Sequence, residues 1–178
     1  MLKEFRKEVE KTMYDELTKN DIKKMEEEIE YRKLVVRKEA IEAVKEARAQ
    51  GDLSENFEYY AAKKYKNQNE SRIRYLEKMI KTAQIVEDEA SSEEVGLNDR
   101  VRVYMEVEDC EEEYKIVTTI RSNALKNMIS IESPLGKALL GHKKDDRIFV
   151  QVKEKVGYYV KILEIMKSDD ESEAINKF

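Results

Sequence analysis

The sequence predicts an α+β protein: an N-terminal antiparallel α-helical coiled-coil hairpin, then a small α+β domain with an antiparallel sheet and one short helix. Three observations carry this expectation. The first fifty residues contain neither proline nor glycine and repeat apolar residues at three-and-four spacing. A second stretch with the same spacing follows Gly51. Beyond Gly96 the apolar period drops to two, the signature of half-buried strands.

In the first arm Ile22, Met25, Ile29, Val36, Ala40, Ala43 and Ala47 form a narrow seam that Arg32 interrupts once. Thr18 is the expected cap, with Asp21 three residues on, and a shorter helix within Leu2–Glu16 is expected before it. Tyr59, Ala62, Ile73, Leu76, Ile80 and Ala83 make the seam of the second arm. Two such seams bury each other, and the short connection at Gly51 makes the helices antiparallel. At about 1.5 Å per residue, roughly 30 residues per arm give a rod of about 45 Å.

The acidic, aperiodic EDEASSEEVG at 87–96 reads as a linker. After it, VRVYMEV alternates Val101, Val103, Met105 and Val107, and β-rich runs recur at 114–120, 128–131, 148–152 and 158–165. Five short strands follow. Between the third and fourth, SPLGKALLGHKKDD carries one helix, with Ser133 as N-cap, Pro134 at its first position and Gly141 at its end. The closing SDDESEAINKF is polar and expected to fray. The division is then 1–16 as an N-terminal extension, 17–86 as hairpin, 87–96 as linker, 97–168 as second domain and 169–178 as tail.

Composition narrows the function classes. With 39 acidic against 34 basic residues the net charge is -5, which argues against uniform electrostatic wrapping of nucleic acid and leaves local basic patches open. A single cysteine, Cys110, excludes an intrachain disulfide, and with one histidine, His142, it leaves no set for structural zinc. Cys110 lies in EVEDCEEEY, where acidic neighbours raise a thiol pKa. His142, after the helix-ending glycine, reads as a surface or capping residue without a catalytic role. Nothing resembling a signal peptide opens the sequence, and no apolar run approaches the ~20 residues that span a bilayer, so a cytoplasmic protein without membrane contact is expected.

The stretch GDLSENFEYYAAKKY at 51–65 stands out because the connection between the arms carries Asp52 and Glu55. Two readings are open. Asp-x-x-Glu at a helix start approximates a capping box, with acids favoured by the helix dipole. Alternatively, two carboxylates three residues apart share one face of a first turn and hold Mg²⁺ together with ligands from another molecule, since alone they make no nuclease. On the second arm Lys63, Lys64, Lys66, Arg72 and Arg74 form a basic cluster around Glu70. By itself it reads as a solvated face making ion pairs.

The run EARAQGDLSENFEYYAAKKYKNQNESRIRYLEKMIKTAQIV, with SPLGKALLG far downstream, resembles the GreA/GreB transcript cleavage factors of bacterial RNA polymerase. The resemblance spans about Leu17 to Met166. It implies that the hairpin enters the polymerase secondary channel, where Asp52 and Glu55 help hold a second Mg²⁺ and an attacking water. The first metal and the catalytic aspartates then belong to the polymerase, and backtracked nascent RNA is cut near its 3′ end. It also implies that Asn56 and Tyr59 support the tip, although packing across the hairpin is an equal role for Tyr59. Lys63, Lys64 and Lys66 become RNA-contact candidates. The second domain becomes an FKBP-like docking module on the channel rim, through Ser133, Pro134 and Leu135. No tightly bound cofactor is implied, only Mg²⁺ shared with the polymerase active site, and the protein is expected to be monomeric and not itself an enzyme.

Some positions depart from the family pattern. Phe57 replaces a small residue, Tyr60 stands where His is common, the glycine expected near Asn20-Asp21 is missing, and KEKVGYY replaces a Pro-Gly-Gly turn. Phe57 reads either as filling a pocket in the channel or as hairpin packing. A second function therefore stands beside cleavage, a channel-occupying regulator or inhibitor that does not cleave. A third, a free-standing prolyl isomerase, rests on fold likeness alone.

Overall fold

The structure, a computed structural model, describes residues 16–49, 56–88, 90–154 and 156–176. Among these residues the chain forms two compact units, 21–83 in one and 16–20 with 84–176 in the other.

In the first unit, one arm comprises α1 (Lys19–Tyr31), a π-helical stretch (Arg32–Val36) and α2 (Arg37–Ala49), and the other is α3 (Phe57–Thr82). Cross-arm partners run from Glu28 with Arg72 to Ala47 with Asn56, so the arms lie in opposite directions. Met25, Ile29, Val36, Ala40 and Ala47 are buried on the first arm, and Ile73, Leu76 and Met79 on the second. The π stretch sits where Arg32 takes a seam position. There the Arg37 N–H reaches the Arg32 carbonyl, an i to i+5 bond that adds one residue to the turn. Val36, at the end of this stretch and seven residues after Ile29, lies on the buried side with it.

Arg32 is not wasted on solvent. Its Nε donates to Glu28 Oε1 at 2.7 Å and its Nη1 to Asn69 Oδ1 at 3.1 Å. Arg72, 4% exposed, closes the layer with Nε and Nη2 on the two Glu28 oxygens at 2.9 and 3.0 Å. A fully apolar seam tolerates slippage between arms, whereas this layer is satisfied in one register.

In the second unit the sheet order is β5-β4-β3-β7-β6, from β3 (Arg100–Met105), β4 (Cys110–Val117), β5 (Met128–Ser130), β6 (Arg147–Lys153) and β7 (Val156–Met166). The five expected strands are present. One pairing corrects the antiparallel expectation, because β4 and β5 run parallel, Lys115 opposite Met128. Two 3₁₀ turns, Thr119–Arg121 and Ala124–Lys126, carry the chain back before β5 begins, which a two-residue hairpin cannot do. Val101, Val103 and Met105 alternate into the core with Ile148, Val150, Val160 and Ile162, and α4 (Pro134–Leu139) covers it through Leu135 and Leu139. A short parallel pair, β1 (Glu16–Leu17) with β2 (Gln84–Ile85), was not visible in the sequence. The tail also differs from expectation: 168–176 is held by ion pairs and backbone bonds instead of fraying. Among the described residues no helix is long and apolar enough to cross a membrane.

Candidate functional site

Asp52 and Glu55 lie outside the described residues, and the site is built here from the chain that flanks them. The second arm begins at Phe57, not at Asp52, and its N-cap is Asn56, whose backbone is extended at φ -85°, ψ 96°. Asn56 Oδ1 accepts the Tyr59 N–H at 3.0 Å, and Asn56 Nδ2 donates to the Ala47 carbonyl at 2.9 Å. One amide thus caps α3 and ties it to the other arm. The capping-box expectation for Asp52 and Glu55 falls on residues outside those described. Both acids precede Asn56, the cap of α3, in the sequence.

From Asn56 the helix period sorts the next residues onto two faces. Tyr59, Lys63 and Lys66 recur at four and three residues on one face. Arg48 Cζ and Lys63 Nζ lie 5.6 and 5.8 Å from the Tyr59 ring centre, within cation–π range. The Arg48 hydrogen bond to the phenol, 3.5 Å, lowers the Tyr59 pKa, with Lys63 and Lys66 adding to it. Sequence reasoning missed Arg48. Its signal was distance from the middle of 50–56, about the same as that of Tyr59, which antiparallel arms bring side by side.

Phe57, Tyr60 and Lys64 share the other face, all exposed, Phe57 at 89% and Tyr60 at 53%. At that exposure Phe57 contributes nothing to packing between the arms, which removes the hairpin-packing reading. The basic cluster also contracts. Arg72 is buried on Glu28, and only Lys63, Lys64, Lys66 and Arg74 keep cations near solvent. Among the described residues no group of three or more acidic, His or Cys side chains gathers to hold a metal.

The downstream candidates sit at the start of α4. Ser133 Oγ accepts the Gly136 N–H at 3.0 Å and donates to the Ser130 carbonyl at 2.6 Å. Pro134 is exposed, whereas Leu135 is part of the core. Gly136 is required by close approach, since a Cβ there would stand 2.1 Å from the Ser130 oxygen. His142 is exposed, and Cys110 has its thiol pKa raised by burial and by Glu108 and Glu112.

Family comparison accounts for nearly all of the described chain. Residues 16–85 match a family described as "Transcription elongation factor, N-terminal", and 90–167 match "Transcription elongation factor, GreA/GreB, C-term". Transcription elongation factor GreA of Lachnoclostridium phytofermentans is 46% identical over 155 residues, 86% of this chain and 96% of the relative. The chain belongs to the GreA/GreB transcription elongation factor family. GreA of Bacillus subtilis is 43% identical over 136 residues, 76% of this chain and 86% of the relative. Among solved structures, GreA factor homolog 1 of Thermus thermophilus shares 28% identity over 86% of this chain and 99% of that one, with a TM-score of 0.40. At that score the superposition carries no argument. Both GreA/GreB matches stop short of the tail at 169–178, the second ending at residue 167.

Proposed function

We propose that this GreA/GreB protein is a transcript cleavage factor that acts only in complex with bacterial RNA polymerase. The antiparallel arms serve as a coiled-coil hairpin that enters the secondary channel, and the second unit as an FKBP-like module that docks on the channel rim. The observation that carries the reading is Asn56. Asn56 supplies the cap acceptor for α3 from its own side chain, and in this reading Asp52 and Glu55 serve the polymerase active site.

Two carboxylates from one chain fit Mg²⁺, which is commonly held by one or two carboxylates with the remainder from substrate and water. Asp52 and Glu55 would hold it jointly with the polymerase, and the ion when bound would activate water for phosphodiester hydrolysis. Asn56 fixes the helix start behind them. Lys63, Lys64 and Lys66 offer cations to the 3′ segment of the nascent RNA, and Tyr59 holds Lys63 and Arg48 in place. On the docking side Pro134 is the exposed contact, with Ser133 capping the helix and Leu135 anchoring it from the core.

The test is RNA cleavage in a stalled, backtracked elongation complex in Mg²⁺, with saturating wild type, Asp52→Ala and Glu55→Ala side by side. Wild type is expected to shorten the transcript and either variant to slow this by on the order of 10²-fold or more with polymerase binding retained. Binding without cleavage by wild type makes the protein a channel-occupying regulator instead.

A further inference from the structure

The aromatic residues at the start of α3 divide by face. Tyr59 is engaged by Arg48 and Lys63, whereas Phe57 is 89% exposed and Tyr60, one turn on, is 53% exposed. Phe57, Tyr60 and Lys64 recur at three and four residues, so ring, ring and ammonium line one side of the helix over about 10 Å. Tyr60 is braced by its neighbour, the two ring centres 5.7 Å apart with 64° between planes, an edge-to-face contact. Tyr59 is in turn tied across the hairpin to Arg48. Among the described residues Lys64 has no ion-pair partner and Phe57 no ring partner. Tyr60 is thus oriented, and the side it shares with Phe57 is uncovered.

We propose that Phe57 and Tyr60 stack an unpaired nucleobase of the nascent RNA 3′ segment, with Lys64 on an adjoining phosphate. The ligand follows from the cleavage reading, on which the proposal rests, and the rings add to that reading a contact with the base itself. Single-stranded RNA is held by this combination, aromatic faces for splayed bases and cations for the backbone. An apolar pocket in a protein fits the same side less well. It would gain by burying Phe57, but it would also desolvate the Tyr60 hydroxyl and the Lys64 ammonium one turn further on. A nucleotide meets all three groups. Glu58, the acid between the rings in sequence, stands about 100° round the helix from Phe57 and away from Tyr60.

Both ring positions depart from the family pattern. Their role is discrimination among 3′ bases, whereas in the cleavage reading hydrolysis belongs to Asp52 and Glu55 with the polymerase. Stacking strength then favours a purine over a pyrimidine at the RNA 3′ end.

The test places a fluorescent purine analogue, quenched by stacking, at the RNA 3′ end of a backtracked elongation complex. Full-length Asp52→Ala is added so that the RNA stays intact. It is expected to quench the analogue at saturation, Phe57→Leu in the same background to remove at least half of the quenching, and Phe57→Trp to retain it. With Asp52 intact, Phe57→Leu is expected to slow cleavage about fivefold or more before a 3′ adenine and by less before a 3′ uracil. Absence of quenching overturns the proposal, as does quenching that survives Phe57→Leu and Tyr60→Leu together. Equal slowing for adenine and uracil, with weaker binding of Phe57→Leu to polymerase lacking RNA, also overturns it and assigns Phe57 to a protein pocket. Wild type that quenches without cleaving refutes the cleavage reading and leaves the stacking intact, so the two failures are distinct.

Discussion

Asn56 offers a controlled perturbation because its two amide atoms do different jobs. In Asn56→Ala both are lost, the cap on Tyr59 N–H and the tie to the Ala47 carbonyl. Removing an N-cap side chain costs about 1 kcal/mol, and a neutral hydrogen bond contributes about 1 kcal/mol more, for about 2 kcal/mol together. That is about a 30-fold rise in local opening at the start of α3, at 1.36 kcal/mol per tenfold. Asn56→Asp keeps an acceptor facing the helix N-terminus, where negative charge is favoured, and loses the donor to Ala47. Amide exchange at Tyr59 should therefore be protected in Asn56→Asp and fast in Asn56→Ala, and cleavage should follow the same order. Equal loss of protection in both variants would refute the assignment of the cap, since only the tie would then matter. Normal protection in Asn56→Ala would refute both bonds.

Glu28→Gln leaves Arg72 buried opposite a neutral amide, and with Glu28 about one-fifth exposed the cost is placed at the low end of the buried-pair range, about 3 kcal/mol in urea unfolding; under about 1 kcal/mol would mean the layer is solvated. Phe57→Ala should change stability by no more than about 0.5 kcal/mol, and a larger loss in a thermal melt would show packing that its exposure denies. The Asp170 carboxyl is held at about 2 by hydrogen bonds from Ser172, with Lys115 adding to them. Glu173 is also lowered: burial, the largest effect, raises it, but the Lys115 hydrogen bond, a backbone hydrogen bond and the Lys115 charge together bring it down. A depressed carboxyl stabilises the fold above its ordinary pKa near ~4 and loses that contribution as pH falls through the depressed value, so the 168–176 tail should be held at pH 6 and loosen toward pH 2. An NMR titration of Asp170 with a midpoint near ~4 would count against it.

Much of the molecule could be read without coordinates because short-range chemistry decides it. Val101, Val103 and Met105 alternate in the sequence and in the core, and Ser133 followed by Pro134 starts a helix where the spacing predicts one. What was hidden depends on partners far along the chain. Arg72 looks like its neighbours Lys63 and Lys66, and only Glu28 across the arms makes it a buried residue. Arg32 was visible as a break in the seam, but whether the helix kinks, exposes it or widens into a π turn is settled by Asn69 and Glu28. Asp52, Ser54, Glu55 and Asn56 are all capping residue types, so composition could not choose among them, whereas the extended backbone at Asn56 does. The tail read as disordered because it is polar, and polarity favours fraying only when no buried cation needs the charge.

These separate points bear on why an acidic connection between two arms is tolerable at all. Two like charges three residues apart in a connection are a choice that a simple Gly/Asn turn would avoid. If they served stability, the chain would be expected to place Asp52 or Glu55 at the cap, yet it places Asn56 there and adds a tie to Ala47. The register of the arms is also settled elsewhere, by Glu28, Arg32, Asn69 and Arg72 in mid-hairpin. Among the described residues, the cap of α3 and the register of the arms have their own partners. Under the cleavage proposal Asp52 and Glu55 act in the polymerase's site, and the variants that remove them should lose cleavage while leaving the melt unchanged.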